Sequence, residues 1–189
     1  MSLPVNPLAI LARHYDPASN LYRVLVIHSA LVAAKALAIA RSLLVRRGKT
    51  AVDLAFLGEA ALLHDIGIGL CHAPKIFCEG AEPYVRHGVL GRDILENEGL
   101  PRHALVCARH TGAGLTREDV RRQGQPLADE DYLPLSIEEK IICVADKFYS
   151  KTPHKLWIEK PLDQIEASLA KHGPDVLARW EALRREVLD

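Results

Sequence analysis

Leu62-Leu63-His64-Asp65-Ile66-Gly67 places two adjacent polar side chains at the end of an apolar run with helical spacing. His64 shares a face with apolar residues at intervals of three and four, namely Leu54, Leu57 and Ala61. Gly67 follows and predicts the end of the helix. An adjacent His and Asp at the inner end of a helix suit metal binding better than ordinary packing.

The rest of the chain repeats this helical periodicity between turn signals. A short helix over 3–14 precedes predicted helices over 21–47, 50–66, 84–97, 101–110, 137–148, 162–172 and 175–188. Thr50 with Asp53, and Ser136 with Glu139, resemble capping boxes. No stretch alternates as a strand does, and the irregular residues 115–134 are typical of a functional lid or rim. The predicted fold class is all-α, a single helical bundle of about seven helices.

The chain length of 189 residues fits one domain with a substantial core. We expect a single domain over 1–189, with a motif-bearing core at about 20–150 and C-terminal helices in 161–189. The sequence leaves open whether the protein forms a homo-oligomer.

The charge balance argues against a nucleic-acid binder with a broad basic surface, because the chain has 24 Lys and Arg residues and an equal number, 24, of Asp and Glu residues. A small anionic ligand needs only local positive charge. The four cysteines form no CxxC pair and suggest no disulfide framework, which favours a cytoplasmic protein. The N-terminus does not resemble a signal peptide, and the apolar run Ala30 to Ala40 is too short for a membrane span.

Three polar side chains fall where the pattern predicts burial. His28 lies among leucines and valines, His64 ends an apolar face, and Asp146 follows Val144-Ala145 on a half-buried helix. Burying such a group unpaired costs roughly 1–3 kcal/mol, more if it is charged. A shared divalent metal would satisfy all three.

Each candidate has an ordinary alternative. A lone His on an apolar face is usually a hydrogen-bonded core residue, and Asp146 could pair with an Arg from another helix. Asp65 could cap a turn, His87 could lie at the surface, and His110 could interact with a helix dipole. Their joint occurrence at helix ends and inner faces favours a metal site.

In chain order, His28, His64-Asp65 and Asp146 form an H…HD…D pattern. This pattern resembles that of the HD superfamily of metal-dependent phosphohydrolases, and His64-Asp65-Ile66-Gly67 matches the motif that names its HDIG subgroup. The resemblance covers about residues 20–150.

A second set of motifs resembles a bacterial branch that includes the symmetric diadenosine tetraphosphate hydrolases. These motifs are His87-Gly88 with Gly91, Arg109-His110-Thr111-Gly112, and Ser136 to Ile142 leading to Ala145-Asp146. Two additional histidines hold a second metal in that branch. The resemblance therefore implies a dinuclear site in which the first metal is bound by His28, His64, Asp65 and Asp146, Asp65 bridges, and His87 and His110 bind the second metal.

Two positions depart from the family pattern. Many relatives carry a lysine shortly after HD, near the attacking water or the substrate, whereas this chain has Ile68. The segment after the last Asp is Lys147-Phe148-Tyr149-Ser150-Lys151, unlike the Glu-Pro-containing segment of the diadenosine tetraphosphate enzymes. Both departures argue against diadenosine tetraphosphate as the substrate.

The expected activity is hydrolysis of a nucleotide or other small phosphate ester or anhydride by a metal-bound hydroxide, with His64 and Asp65 as catalytic residues. Histidine-rich ligation favours transition metals over Mg²⁺, so we expect Fe or Mn, with Zn, Ni or Co able to substitute. Lys147, Arg109 and Thr111 are the expected phosphate-binding residues.

Two other functions fit the same residues. Some HD relatives use a similar iron pair to activate oxygen, so a dinuclear-iron oxygenase is one alternative. A non-catalytic nucleotide-binding HD protein is the other, although intact ligands argue against it. The expected partner is a small phosphorylated substrate, which could be a nucleotide, and neither a nucleic acid nor a membrane.

Overall fold

The computed structural model describes residues 5–48 and 51–189 and assigns nine α-helices within them. They are α1 Pro7–His14, α2 Asn20–Arg47, α3 Leu54–Leu63, α4 His87–Asn97, α5 Pro101–Arg109, α6 Arg117–Arg122, α7 Ile137–Lys147, α8 Leu162–Leu169 and α9 Pro174–Val187. Short 3-10 turns join several of these helices. The predicted all-α fold class is confirmed.

The central element is α2, a helix of 28 residues that packs against α3 and α7. The Ser19 hydroxyl caps its start, and Gly48 ends it with a φ of +60°. By length and composition alone α2 is apolar enough to cross a membrane. Half of its apolar window is buried within the protein, as expected for a core helix, and His28 lies on this buried face.

The C-terminal helices pack on the same core as the motif-bearing helices. Trp180 of α9 is fully buried in one apolar cluster with Leu43 of α2, Leu57 of α3 and Ile142 of α7. A second cluster, which includes Leu63 and Ile66, surrounds the turn that follows α3. The polar motif at His64-Asp65 is therefore flanked on both sides in the chain by fully buried apolar residues.

Helix α3 begins later than the sequence predicted. Asp53, rather than Thr50, is its N-cap, and the Asp53 carboxylate accepts a 3.0 Å hydrogen bond from the Phe56 N–H. Thr50 lies outside the described residues. The helix ends at Leu63, so His64 and Asp65 occupy a tight turn in which the Ile66 N–H donates to the Leu63 carbonyl.

The predicted capping box at the start of α7 is only half formed. The Ser136 hydroxyl accepts from the Glu139 N–H at 3.1 Å, as expected. The Glu139 carboxylate instead accepts from the Leu135 N–H and from Arg109. A complete capping box forms between Thr116 and Asp119 at α6, inside the stretch predicted to be irregular.

Two further segments differ from prediction. The loop after the motif contains a two-stranded antiparallel hairpin, β1 His72–Ala73 and β2 Cys78–Glu79, too short to show alternation in the sequence. The predicted helices over 84–97 and 162–172 each include a 3-10 turn, at Tyr84–Arg86 and Ala170–His172. These turns shift only the ends of the helices and leave the bundle unchanged.

Gly67 allows the turn after α3 to pass directly against α4. A Cβ at this position would lie 2.1 Å from the His87 carbonyl oxygen and 2.4 Å from the Gly91 nitrogen, both backbone atoms. We therefore expect Gly67→Ala to lower the free energy of unfolding by about 3 kcal/mol, because the backbone must move to relieve the overlap. Urea denaturation of the metal-free protein, followed by circular dichroism, measures this change.

Gly58→Ala is the matched control within α3. Its new Cβ would have only Leu37 Cδ1 nearby, at 4.0 Å. The substitution should leave stability unchanged or raise it by about 0.5–1 kcal/mol, because alanine favours a helix interior. Equal stability of the two variants would contradict the proposed close approach at Gly67.

Candidate metal centre

Six buried polar side chains converge from separate parts of the bundle, and none is more than 7% exposed. They are His28 in α2, His64 and Asp65 in the turn after α3, His87 at the first residue of α4, His110 immediately after α5, and Asp146 near the end of α7. These are the six residues that the sequence proposed as ligands. Their donor atoms fall into two groups that share Asp65.

The first group contains His28, His64, Asp65 and Asp146, with donor atoms within 4.8 Å of one another. His28 Nε2 lies 3.0 Å from Asp146 Oδ1 and 3.2 Å from Asp65 Oδ2. His64 Nε2 lies 3.1 Å from Asp65 Oδ2 and 3.4 Å from Asp146 Oδ1. Two imidazoles and two carboxylates thus face one small volume.

The second group uses the other oxygen of Asp65. Oδ1 lies 3.3 Å from His110 Nε2 and 3.5 Å from His87 Nε2. The two Nε2 atoms are themselves 3.1 Å apart. Asp65 therefore presents one carboxylate oxygen to each group.

Three of the four histidines are oriented by the backbone in the same way. The Nδ1 atoms of His64, His87 and His110 lie 2.7, 2.6 and 2.8 Å from the carbonyl oxygen three residues earlier. A carbonyl can only accept, so in each ring Nδ1 carries the proton and donates it. In the neutral rings the lone pair is then on Nε2, directed into the centre, as in metal-binding histidines.

Several polar atoms in the centre are buried without a hydrogen-bonding partner among the described residues. They include Oδ1 of Asp65 and Nε2 of His64. Such atoms cost free energy unless a partner of another kind is present. Inward-facing carboxylate and imidazole donors of this kind fit a divalent cation, so the centre could hold metal ions.

The charges around the carboxylates keep them ionised. Burial alone would raise the pKa of Asp65, but neighbouring His64 and Lys151 hold it well below its usual range. Burial acts on Asp146 in the same way, and Lys147 and Lys151 outweigh it. Both carboxylates are thus in the form that binds metal.

The histidine pKa values separate into two classes. Burial, together with neighbouring His110, lowers the pKa of His87 to about 3, and burial also lowers the pKa of His110. For His64, the carboxylates Asp65 and Asp146 outweigh burial and raise the pKa to about 9. The pair at the second group is therefore neutral, while His64 in the first group balances carboxylate charge in the metal-free protein.

A match to a known protein family identifies the family of this chain. Residues 25–150 match the HD domain, and this stretch covers more than half of the chain. The chain belongs to the HD domain family. This family typically consists of metal-dependent phosphohydrolases, and the matched stretch contains all six converging residues.

Three relatives illustrate what this HD protein is similar to. An uncharacterised protein of Methanocaldococcus jannaschii is 34% identical over 126 residues, 66% of either chain. Two tRNA (cytidine(56)-2'-O)-methyltransferases are each 34% identical, over 99 residues in Picrophilus torridus and 103 in Thermoplasma volcanium. These matches cover 52% and 54% of the HD protein but only 25% and 27% of the methyltransferases.

The HD protein thus spans just under two thirds of the Methanocaldococcus relative and about a quarter of each methyltransferase. No solved structure matches it. None of these relatives is named as a diadenosine tetraphosphate hydrolase, so the comparisons support the HD domain and give no support to the narrower resemblance to that branch.

A lysine absent from the proposed ligand and substrate residues lies at the centre of this HD domain. Lys151 Nζ lies 2.7 Å from Asp65 Oδ2 and 3.8 Å from Asp146 Oδ1. Ile68, at the position where many relatives carry a lysine, is fully buried in the apolar core. The cluster of cations after Asp146 was the available sequence signal, but only the path of the chain beyond α7 brings Lys151 back to Asp65.

The three proposed phosphate-binding residues have different surroundings. Lys147 Nζ lies 2.6 Å from Asp146 Oδ2, at the edge of the centre. Thr111 lines a cleft that also contains His87. Arg109 is not brought to the centre, because its guanidinium donates to Glu139 at 3.1 Å.

Proposed function

We propose that this HD protein is a metal-dependent phosphohydrolase that acts on a small phosphate ester or anhydride and holds two divalent ions. Asp65 carries the proposal, because its two oxygens face two separate groups of buried donors. Two dications and two carboxylates would leave the site near +2, which favours a phosphorylated substrate. Bound there, the ions would polarise the phosphoryl oxygens and lower the pKa of a water towards neutrality.

The second ion is supported by the pair His87 and His110. Both rings donate from Nδ1 to the backbone, so their Nε2 lone pairs face each other at 3.1 Å. Two facing lone pairs repel, whereas a cation coordinated by both would remove the repulsion. The low pKa of His87 keeps this ring from resolving the conflict by taking up a proton near neutral pH.

The first ion would be held by His28, His64, Asp65 and Asp146. Histidines make up half of this group and two thirds of the second, which favours a transition metal over Mg²⁺. Fe and Mn remain our preferred metals, with Zn, Ni or Co able to substitute.

Lys147 and Lys151 would bind the phosphoryl group in place of the lysine that this chain lacks after the HD pair. Both ammonium groups lie within 2.7 Å of a carboxylate oxygen of the centre. With Asp65 and Asp146 engaged as metal ligands, these ammonium groups would be available to phosphate oxygens. Thr111, beside His87 in the adjoining cleft, can donate a hydrogen bond to the same substrate.

Lys151→Met should lower kcat/KM about 10- to 100-fold, because one charge-assisted hydrogen bond to phosphate is lost. Metal content, measured by mass spectrometry of the purified protein, should stay unchanged. Lys155→Met, an exposed lysine of the same segment, is the matched control and should keep full activity. If Lys151→Met loses both metal and activity, Lys151 instead holds the metal-binding carboxylates in position and does not bind phosphate.

A screen of the metal-reconstituted protein tests the function itself. The compounds are phosphomonoesters, dinucleoside polyphosphates, cyclic nucleotides and, because two relatives are tRNA methyltransferases, RNA fragments with terminal phosphates. Phosphate release that disappears in Asp65→Asn is the expected result. Absence of turnover in every metal form, together with oxygen-dependent chemistry of the iron form, would favour the oxygenase alternative. Tight nucleotide binding without any turnover would favour a sensor.

A further inference from the structure

A cleft rich in lysine lies beside the first metal group. It has a volume of about 370 Å³ and is lined by Lys75, Tyr84, Tyr149, Lys151, Thr152 and Lys160. Lys151 forms its inner end, because the same ammonium group contacts Asp65. We call this space the lysine cleft.

Lys151 is paired with Asp65, but the other two lysines of the lysine cleft have no carboxylate partner among the described residues. Within residues 5–48 and 51–189, neither Lys75 nor Lys160 has a carboxylate oxygen within 4.0 Å. Lys160 is only partly exposed, and burial lowers its pKa. A partly buried ammonium group without a counter-ion is destabilising by itself, so an anionic ligand would relieve a cost already present in the fold.

A second cleft of different chemistry opens from the other metal group. Its volume is about 400 Å³, and His87 and Thr111 lie in its wall. Apolar side chains of Leu115, Leu169 and Val176 line it together with the amides of Gln123 and Gln125 and the imidazole of His172. No Lys, Arg, Asp or Glu lines it among the described residues. We call this space the apolar cleft.

The two clefts are adjacent beside the metal centre, because Tyr84 lines both and stacks on His87 with ring centroids 4.7 Å apart. The side chains that line the two clefts therefore differ in character on the two sides of the centre. Ammonium groups lie on the side of the first metal group, and apolar walls with two amides lie on the side of the second.

We propose that the ligand is an ester of a condensed phosphate chain with an uncharged ring, with the chain in the lysine cleft and the ring in the apolar cleft. Three ammonium groups suit more than a single phosphate. Apolar walls with a few amide groups suit a flat ring that carries hydrogen-bonding edges. Hydrolysis of such a ligand rests on the proposed function. Binding of the ligand does not, and it can be measured separately.

The first experiment compares inorganic triphosphate with orthophosphate by calorimetry on the metal-reconstituted protein, with metal content checked after titration. Triphosphate should bind at least about tenfold more tightly, and Lys75→Gln with Lys160→Gln should remove most of this difference. Lys171→Gln, an exposed lysine outside both clefts, is the control. Equal affinity for the two anions, or no effect of the double variant, would overturn the lysine cleft as a phosphate site.

The second experiment compares the four common nucleoside triphosphates with inorganic triphosphate. At least one should bind more tightly than triphosphate alone, and Gln123→Ala with Gln125→Ala should reduce that advantage while the affinity for inorganic triphosphate stays the same. If no nucleoside triphosphate exceeds inorganic triphosphate, the apolar cleft does not bind a ring of this kind and the second half of the proposal is wrong.

These outcomes separate the two proposals. If the binding pattern holds but no compound is hydrolysed in any metal form, the phosphohydrolase assignment fails and the ligand class stands. If simple phosphomonoesters are hydrolysed but orthophosphate and triphosphate bind equally, the ligand class fails and the phosphohydrolase assignment stands.

Discussion

Asp65→Asn should remove both metal ions and reduce phosphohydrolase activity by roughly 1,000-fold, or about 4 kcal/mol of transition-state stabilisation. Asp65 is the single residue shared by the two donor groups, with Oδ2 facing His28 and His64 and Oδ1 facing His87 and His110. Asparagine has nearly the same size but supplies no negative charge and no second carboxylate oxygen. Metal content of the purified protein and kcat/KM on a substrate from the screen measure the two losses.

Asp146→Asn is the matched comparison, because Asp146 faces only the first donor group. This variant should lose the first ion and keep the second. Circular dichroism should show a folded bundle for both variants. If Asp65→Asn and Asp146→Asn lose the same amount of metal, Asp65 does not bridge, and the dinuclear arrangement is contradicted.

His87→Ala should lower the bound metal from two equivalents to one and abolish most activity. His87 lies 3.5 Å from Asp65 Oδ1 and takes no part in the first donor group. Its removal leaves His110 and one carboxylate oxygen, too few ligands to hold a second divalent ion tightly. Metal stoichiometry by mass spectrometry, and exchange coupling in the spectrum of the iron form, distinguish one ion from two.

His103→Ala controls for the loss of a buried histidine. His103 lies in α5, is 7% exposed and faces Glu59 at 3.2 Å, away from the six converging residues. This variant should keep both metal equivalents. His110→Ala should behave like His87→Ala. A stoichiometry of one in the unaltered protein would contradict the second site directly.

Helix positions followed closely from apolar spacing, since the ends of α2, α5, α7 and α9 lie within about two residues of those predicted. Capping was less predictable. Thr116 and Asp119 form the full capping box, whereas Glu139 is drawn away by Arg109 and the Leu135 N–H. A capping motif specifies which bonds can form, but competing partners from elsewhere in the fold determine which do form.

Sequence neighbours of the proposed ligands predicted the surrounding charge in one case of two, since Lys147 contacts Asp146 but Arg109 does not reach the centre. Arg109 precedes His110, but successive residues on a helix point about 100° apart, and Arg109 contacts Glu139 instead of the centre. Lys151 lies beyond the end of α7 and returns to Asp65 because the chain turns there. That turn depends on packing between distant segments, which local periodicity does not contain.

The sequence by itself determined the all-α fold class and three polar residues at positions where burial was expected, His28, His64 and Asp146. Both follow from local rules, because apolar spacing sets helices and a polar group on a buried face requires a partner. The resemblance to a family pattern added Asp65, His87 and His110 and completed the set of six. Only the tertiary structure decided how those six residues divide around Asp65, that Lys151 joins them, and that clefts of opposite chemistry flank them. These features depend on distances between residues far apart in the chain, which the packing of α2, α3, α4, α5 and α7 fixes.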